Sequence, residues 1–265
     1  SLSLKDSLNV LSYNSNLTIP KEEITVETTQ DNPTVVPKTT EEQNTPQDKG
    51  EEKDNGKENA NTQKEDASKD KKAESTGKRV YIYDTHQDES YKGGKTVLDA
   101  AAILAQKLED RGIKVVLETN DFIRYRDTHG LTYNESYVVS YKYLNEALVN
   151  YGGFDMCLDL HRDSIPREAS YINIDGKNYA KGMFVVGGLG KNAKTATRLS
   201  TTLTDTINAK KNGIMKGVMT REAYYNQEVA KNIILMELGG DVNTFEEVSN
   251  SLDVIADGKI GRAHV

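Results

Sequence analysis

The sequence predicts an α/β fold: a single three-layer domain with a mostly parallel mixed sheet, preceded by a disordered N-terminal linker. From residue 79 onward, short apolar segments of strand length alternate with longer segments whose apolar residues recur at helical spacing. Residues 21–78 consist almost entirely of Lys, Glu, Asp, Asn, Thr, Gln and Pro. Such a segment cannot bury enough apolar surface to offset the entropy lost on ordering, so residues 1–78 are predicted to be a charged linker.

The first strand–helix–strand unit opens the predicted domain. Residues 80–83 form a short apolar and aromatic strand. Residues 96–111 are predicted to be a helix, because their apolar residues fall on one face and Gly112 follows as a terminator. Residues 115–117 give the second strand.

The rest of the domain continues the alternation. Gly152 is predicted to end a helix, and Asp175-Gly176 is typical of the turn of a β-hairpin. In chain order the predicted elements are a helix at 134–151, a strand at 156–160, a hairpin at 170–179, a strand at 183–186, a helix at 192–211, a strand at 233–236 and a helix at 245–256.

The composition excludes several classes of protein. A single cysteine excludes an intrachain disulfide framework and a cysteine-rich zinc site. The net charge of −7 argues against a nucleic-acid partner, which would favour a basic face. No apolar segment approaches the roughly 18–20 residues of a membrane span. Since the sequence also lacks an initiator Met, we expect a membrane anchor or signal upstream of this chain.

Residues able to bind a metal follow three of the predicted strands. His86 and Glu89 follow the first strand, His161 follows the strand at 156–160, and Glu237 follows the strand at 233–236. The carboxyl ends of parallel strands meet at one edge of a sheet, where α/β proteins bind ligands. Catalytic zinc takes three nitrogen or oxygen ligands and keeps one position for water. The pattern therefore predicts a Zn²⁺ site of His86, Glu89 and His161, with Glu237 as the acid–base residue.

Each of these residues also has a simpler explanation. A His-x-x-Glu pair arises by chance, and a histidine at a strand end is more often capped or partly solvated than a metal ligand. Glu237 could be an acid satisfied by the amides of a helix N-terminus. The combination at three strand ends favours the metal site, since His129, in a predicted loop, is the one other plausible histidine in the domain.

Four charged neighbours complete the predicted site. Asp84 and Asp159 each precede a proposed ligand histidine by two residues, which places each on the strand face of its histidine. One or both could orient an imidazole, although a solvated or capping role is an equal alternative. Arg162 and Asp163 lie beside the proposed metal and could bind a substrate carboxylate or amide, or form a structural ion pair.

Several strings of the sequence resemble the stage II sporulation protein P family of peptidoglycan hydrolases from endospore-forming bacteria. They are YDTHQDESY (83–91), DLHRDS (159–164), YINIDGKNYAKGMFVVGG (171–188), YNQE (225–228) and MELGGDVNTFEE (236–247). The resemblance implies a fold shared by zinc amidases and zinc carboxypeptidases. It also implies a zinc-dependent N-acetylmuramoyl-L-alanine amidase with additional endopeptidase activity on cross-linked stem peptides. The matching positions are His86, Glu89 and His161 as ligands and Glu237 as the acid–base.

The resemblance carries further expectations about the setting of the enzyme. It implies peptidoglycan as substrate, stage II sporulation proteins D and M as partners, and action during septal thinning and engulfment. The enzyme would be exported and held at the cell-wall side of the engulfing membrane by an anchor absent from this chain. The expected organisation is a linker at 1–78, a zinc amidase catalytic domain at 79–259 and a non-native tail at 260–265, since the tail can be encoded by a common sequencing adapter.

The sequence is also compatible with two other functions. The domain could be a zinc carboxypeptidase acting on peptide ends, with Arg162 holding the terminal carboxylate. It could also be a non-catalytic cell-wall binding module, although such a module has no need of Glu237 and a metal together.

Overall fold

The structure is a computed structural model that describes residues 77–258. The predictions of a linker at 1–78 and of a tail at 260–265 fall outside these residues, apart from the last two positions of the linker. The strands are β1 (Arg79–Tyr83), β2 (Lys114–Leu117), β3 (Met156–Asp163), β4 (Tyr171–Ile174), β5 (Lys177–Ala180), β6 (Gly182–Gly187), β7 (Met215–Arg221) and β8 (Ile233–Gly240). The helices are α1 (Val97–Glu109), α2 (Phe122–Thr128), α3 (Ser136–Tyr151), α4 (Arg167–Ser170), α5 (Ala193–Lys210) and α6 (Phe245–Asp257), with a 3-10 helix at Tyr133–Glu135.

Six strands form one mixed sheet in the order β2-β1-β3-β8-β6-β7. The first four are parallel to one another, β6 runs antiparallel to β8, and β7 runs parallel to β6. Strands β4 and β5 form a separate antiparallel hairpin. Its turn residues Asp175 and Gly176 both have positive φ, as the sequence signal requires. The predicted α/β class with a mostly parallel mixed sheet is confirmed.

Helices cover both faces of the sheet, and the alternation along β1 shows how. Val80 and Ile82 lie in the larger core cluster, which also contains buried residues of α1, α5 and α6. Tyr81 and Tyr83 point to the other face and lie in a second cluster with residues of α2 and α3. Because side chains alternate along a strand, one apolar segment supplies both cores of a three-layer fold.

Local signals in the sequence set several helix ends. Thr96 and Asp99 form a capping box at the start of α1, and Thr244 and Glu247 form one at the start of α6. Gly152 ends α3 in the left-handed conformation, with φ of 67°. None of the helices within residues 77–258 is long and apolar enough to cross a membrane.

The structure differs from the predicted elements in three places. Strands β3 and β8 continue through the polar residues at which the predicted strands stop, because His161 and Glu237 pair with each other inside the sheet. Helix α2 occupies part of a stretch expected to be a loop, and His129 is its C-terminal cap. Strand β7 was not predicted, since its apolar residues are interrupted by Lys216 and Gly217 and its pairing with β6 is long-range.

A buried amide fixes the end of β8 against α6. Asn243 is fully buried, and its Oδ1 accepts a hydrogen bond from the Gly240 amide at 2.7 Å. Its Nδ2 donates to the Ser170 carbonyl at 3.2 Å and to Glu247 Oε2 at 2.9 Å. The Glu247 carboxylate is bound in turn by the Arg167 guanidinium. This network links the end of the strand that carries Glu237 to the start of α6 and to Ser170.

We predict that Asn243→Ala lowers the free energy of unfolding by about 2–3 kcal/mol. The change leaves the Gly240 amide and the Ser170 carbonyl buried without their partner, and each such loss costs about 1–3 kcal/mol. Urea denaturation measures the effect. Asn250→Ala is the matched control, because Asn250 bonds a single carbonyl in an exposed position. Equal losses in the two variants would contradict the structural role of Asn243.

Candidate active site and metal centre

A cleft opens on the α3 side of the sheet, beside β3 and β8. Period-two alternation places Asp159 and His161 on the same face of β3 as Cys157, and Glu237 on the same face of β8 as Leu235. The 3-10 helix and α3 form the opposite wall. The lining residues are His86, Glu89, Tyr133, Asn134, Tyr137, His161, Arg162, Asp163, Ser164, Met183, Val185, Arg221, Tyr225 and Glu237.

The structure brings together the three residues expected to bind a metal. His86 Nδ1 lies 3.4 Å from Glu89 Oε1, and His161 Nδ1 lies 3.4 Å from Glu89 Oε2. One ligand atom from each residue lies within 4.8 Å of the others. His86 and Glu89 share the loop after β1, whose turn is closed by a hydrogen bond from the Glu89 amide to the His86 carbonyl.

The donor set and its spacing fit zinc. Imidazole nitrogen and carboxylate oxygen are ligands of catalytic zinc, which needs three from the protein. Two ligands of one tetrahedral zinc ion, each about 2.0–2.1 Å from the metal, lie about 3.3–3.4 Å from each other. The two His–Glu separations of 3.4 Å match that spacing but involve different oxygens of Glu89, and one donor atom from each of the three residues lies within 4.8 Å of the others. The cleft provides access for water and a substrate.

Asp159 contacts His161 on the side away from the cluster. Its Oδ1 lies 3.0 Å from His161 Nε2, a charge contact without hydrogen-bond alignment. A carboxylate at this position favours the tautomer that carries its proton on Nε2, and the Nδ1 lone pair is then available to a metal. Asp159 is itself fixed by the Thr85 amide and hydroxyl, which donate hydrogen bonds at 2.9 and 2.6 Å.

Charge coupling raises the proton affinity of His161 and lowers that of Glu89. Burial alone would lower the pKa of His161, but the carboxylates of Asp159 and Glu89 raise this pKa well above its usual 6.5. Burial alone would raise the pKa of Glu89, but the charge and hydrogen bonds of His161 and His86 lower this pKa. Glu89 Oε2 also accepts a hydrogen bond from the Arg162 amide at 2.9 Å. Glu89 is therefore an ionised, fixed carboxylate.

Glu237 is in register with His161 across the parallel pair β3–β8, so the two side chains point to the same face. The residue is half-buried, and its Oε2 is buried without a hydrogen-bond partner. Burial raises the pKa of Glu237 to about 8; the charge of His161 opposes this shift and the charge of Glu89 adds to it. A carboxyl group with a pKa near neutrality can both accept and donate a proton, which general acid–base catalysis requires.

Asp84 does not resemble Asp159 in its contacts. Its side chain is buried, and Oδ1 has no hydrogen-bond partner. Burial, with a contribution from the nearby Asp159, raises the pKa of Asp84 well above its usual value. The ion-pair contact of His86 within residues 77–258 is with Glu89 rather than Asp84.

Arg162 and Asp163 line the cleft, as expected for substrate contacts, but both also hold the protein together. Arg162 Nε donates a hydrogen bond to the Ser90 carbonyl at 3.0 Å. Asp163 Oδ1 accepts a hydrogen bond from the Ser164 amide, and Oδ2 lies 3.8 Å from Lys216 Nζ. Asp163 therefore makes an ion pair with Lys216, the structural alternative to a substrate contact.

Sequence reasoning did not identify the aromatic wall of the cleft. Tyr133 stacks on His86, with ring centroids 4.4 Å apart. The ring centroids of Tyr137 and Tyr225, which also line the cleft, lie 5.7 Å apart. Tyr225 and Asn226 have φ values of 55° and 56°, a left-handed conformation that non-glycine residues rarely adopt. The tyrosines within the polar strings TYNESY and YYNQE were a usable signal.

Comparison with known proteins places the chain in a family. A family model described as Stage II sporulation protein P matches residues 4–258. Stage II sporulation protein P of Bacillus subtilis (strain 168) is 31% identical over 217 residues, which are 74% of this chain and 54% of that protein. The chain thus spans about half the length of this curated relative.

Solved structures of amidases are also similar. The CwlD amidase from Clostridioides difficile, in complex with the GerS lipoprotein, is 17% identical with a TM-score of 0.49, covering 69% of this chain and 95% of that one. The N-acetylmuramoyl-L-alanine amidase AmiC2 of Nostoc punctiforme is 15% identical with a TM-score of 0.44, covering 69% of this chain and 96% of that one. The family match and the curated relative establish that the chain belongs to the stage II sporulation protein P family.

Proposed function

We propose that this chain is a zinc-dependent peptidoglycan hydrolase of sporulation that cleaves the N-acetylmuramoyl-L-alanine amide bond. Cleavage of stem-peptide cross-links is its proposed second activity. Membership of the stage II sporulation protein P family supports the substrate class. The observation that carries the proposal is the convergence of His86, Glu89 and His161 beside Glu237. A non-catalytic wall-binding module would not require an acid–base residue at that position.

His86, Glu89 and His161 are the proposed zinc ligands, and Asp159 orients His161. Zinc bound there would act as a Lewis acid toward the amide carbonyl and would lower the pKa of a water molecule toward neutrality. Glu89 is ionised and His161 can present Nδ1 once its proton is lost, so the chain supplies one negative and two neutral donors. A cation at this position would also compensate the cluster of carboxylates.

Glu237 is the proposed acid–base residue. Its carboxylate takes a proton from the attacking water and returns it to the departing L-alanine nitrogen. The buried Oε2, which has no partner, is free for this transfer. A positive charge beside Glu237 would lower its pKa from about 8 and favour the ionised form needed before attack.

Arg162 and Asp163 are the proposed contacts for the stem peptide. Both line the cleft next to His161. A carboxypeptidase would use Arg162 to hold a terminal carboxylate, whereas an amidase needs a cleft open to a sugar on one side of the scissile bond. Mass spectrometry of digested muropeptides separates the two, since an amidase releases the intact stem peptide from the sugar.

The setting of the enzyme follows from the family and is part of the same proposal. We propose an exported protein that is held at the wall side of the engulfing membrane. Stage II sporulation proteins D and M are the proposed partners.

We predict that Glu237→Gln keeps zinc and loses peptidoglycan hydrolysis by about 10²–10⁴-fold, since the amide cannot transfer the proton. Zinc content and release of stem peptides from purified peptidoglycan are the two measurements. Glu228→Gln is the matched control: Glu228 is also half-buried with a raised pKa, but it lies outside the cleft. Near-normal turnover by Glu237→Gln would refute its role.

We predict that His86→Ala and His161→Ala each lose stoichiometric zinc together with hydrolysis. Either change removes one of three protein ligands, and a two-ligand site binds zinc far more weakly. Elemental analysis after dialysis measures the metal, and circular dichroism confirms that the variants are folded. A full equivalent of zinc retained by either variant would exclude that histidine as a ligand.

We predict that zinc binding releases a proton near neutral pH and weakens as the pH falls. The carboxylates of Asp159 and Glu89 raise the pKa of His161 in the metal-free protein, and the proton that this favours must leave Nδ1 before zinc can bind there. Calorimetry in two buffers of different ionisation enthalpy counts the protons released. An affinity that does not change between pH 6 and pH 8 would contradict this account.

A further inference from the structure

His86 and His161 differ in what orients their rings. His161 is buried and has the Asp159 carboxylate 3.0 Å from Nε2. The His86 side chain is 15% exposed, and its ion-pair contact among residues 77–258 is with Glu89, the neighbouring ligand. A metal-ligating histidine is normally held by a partner on its second nitrogen. Besides this contact with Glu89, the His86 ring is held by packing against aromatic rings.

Aromatic rings supply that packing. The Tyr133 ring lies parallel to His86, with centroids 4.4 Å apart and an interplanar angle of 13°. The Tyr137 ring meets His86 edge-on, with centroids 5.5 Å apart. Tyr133 lies in a 3-10 helix that is itself capped, because Glu135 accepts hydrogen bonds from the amide and hydroxyl of Thr132. The stacked ring is thus on a fixed element and not on a free loop end.

Arg126 connects this stacked pair back to the ligand loop. Its guanidinium carbon lies 5.6 Å from the centre of the Tyr133 ring, within the range of a cation–π contact. Its Nη2 lies 3.3 Å from Asp88 Oδ2, and its Nη1 donates a hydrogen bond to Ser136 Oγ at 3.2 Å. Asp88 stands between the two ligands of the loop, so Arg126 contacts both the loop and the ring that stacks on it.

Gln87 provides a third attachment of the same loop. Its Oε1 accepts a hydrogen bond from the Phe122 amide at 2.9 Å, and its Nε2 donates to the Asn120 carbonyl at 2.9 Å. Three consecutive residues of the ligand loop, from His86 to Asp88, are therefore each bound to the segment 120–136.

We infer that residues 120–136 are a positioning brace for the metal-ligand loop, in which Tyr133 sets the ring orientation of His86 and Arg126 holds Tyr133 against the loop. The inference rests on the proposed zinc site. Partners that orient a ligand typically change metal affinity by 10–100-fold when they are removed. The brace does for His86 what Asp159 does for His161, by stacking instead of by a carboxylate.

The test compares zinc affinity among variants of Tyr133 by competition with a chelator. Tyr133→Ala weakens zinc binding by about tenfold or more, whereas Tyr133→Phe keeps the flat ring and stays within about twofold of the unchanged chain. Tyr141→Ala is the control, since Tyr141 is exposed on α3 outside the cleft. Unchanged affinity in Tyr133→Ala, or equal losses in the Ala and Phe variants, would overturn the stacking role.

The Arg126→Met variant distinguishes a positioning role of Arg126 from a purely electrostatic effect of its charge on zinc affinity. Removal of a cation near a metal site should tighten zinc binding through electrostatics alone. If Arg126 acts as part of the brace, Arg126→Met weakens zinc binding several-fold instead, because the Tyr133 ring and the metal-ligand loop lose the side chain that contacts both. Unchanged or tighter binding would overturn the role of Arg126. If Tyr133→Ala does not fold, Tyr133→Leu fills the space without a flat face and is expected to lose affinity as well.

Failure of this inference is distinguishable from failure of the proposed function. A wild-type chain that takes up no zinc refutes the metal site itself. A wild-type chain that binds zinc, alongside a Tyr133→Ala variant of equal affinity, refutes the brace alone.

Discussion

The pairing of His161 with Glu237 across β3 and β8 is the constraint on which the rest of the site depends. The two residues lie inside the central strands, with Asp159 and Glu89 against His161. Burying this many ionisable groups is energetically unfavourable unless their charges are compensated. In the chain alone, protons supply the compensation, because the pKa values of both His161 and Glu237 are raised. The proposed zinc ion would supply the compensation instead.

The sheet also explains how distant parts of the sequence reach one point. The loop that carries His86 and Glu89 follows β1, the adjacent strand β3 carries His161, and β8, which lies next to β3, carries Glu237. The ligand loop lies outside the sheet, and it needs its own support. Segment 120–136 meets that need through its contacts with His86, Gln87 and Asp88.

Much of the fold and the grouping of the site could be predicted, because both depend on local patterns. Alternation along β1 and the Asp175-Gly176 turn are short-range signals, and the His86–Glu89 spacing keeps two donors on one loop. Long-range contacts could not be predicted. Strand β7 depends on pairing with β6, and strands β3 and β8 extend through polar residues that lie in register with each other on the same face of the sheet. The stacking of Tyr133 on His86 joins two residues that are about 50 positions apart in the sequence, and no periodic pattern predicts it.

Zinc-edge X-ray absorption spectroscopy of the purified chain tests the central claim most directly. It reports the number and type of atoms bound to the metal, independently of any activity. The account predicts one zinc ion per chain, four-coordinate, with nitrogen and oxygen ligands at about 2.0–2.1 Å that include two imidazoles. Absence of bound zinc, a sulfur ligand, or a spectrum without imidazole scattering would contradict it.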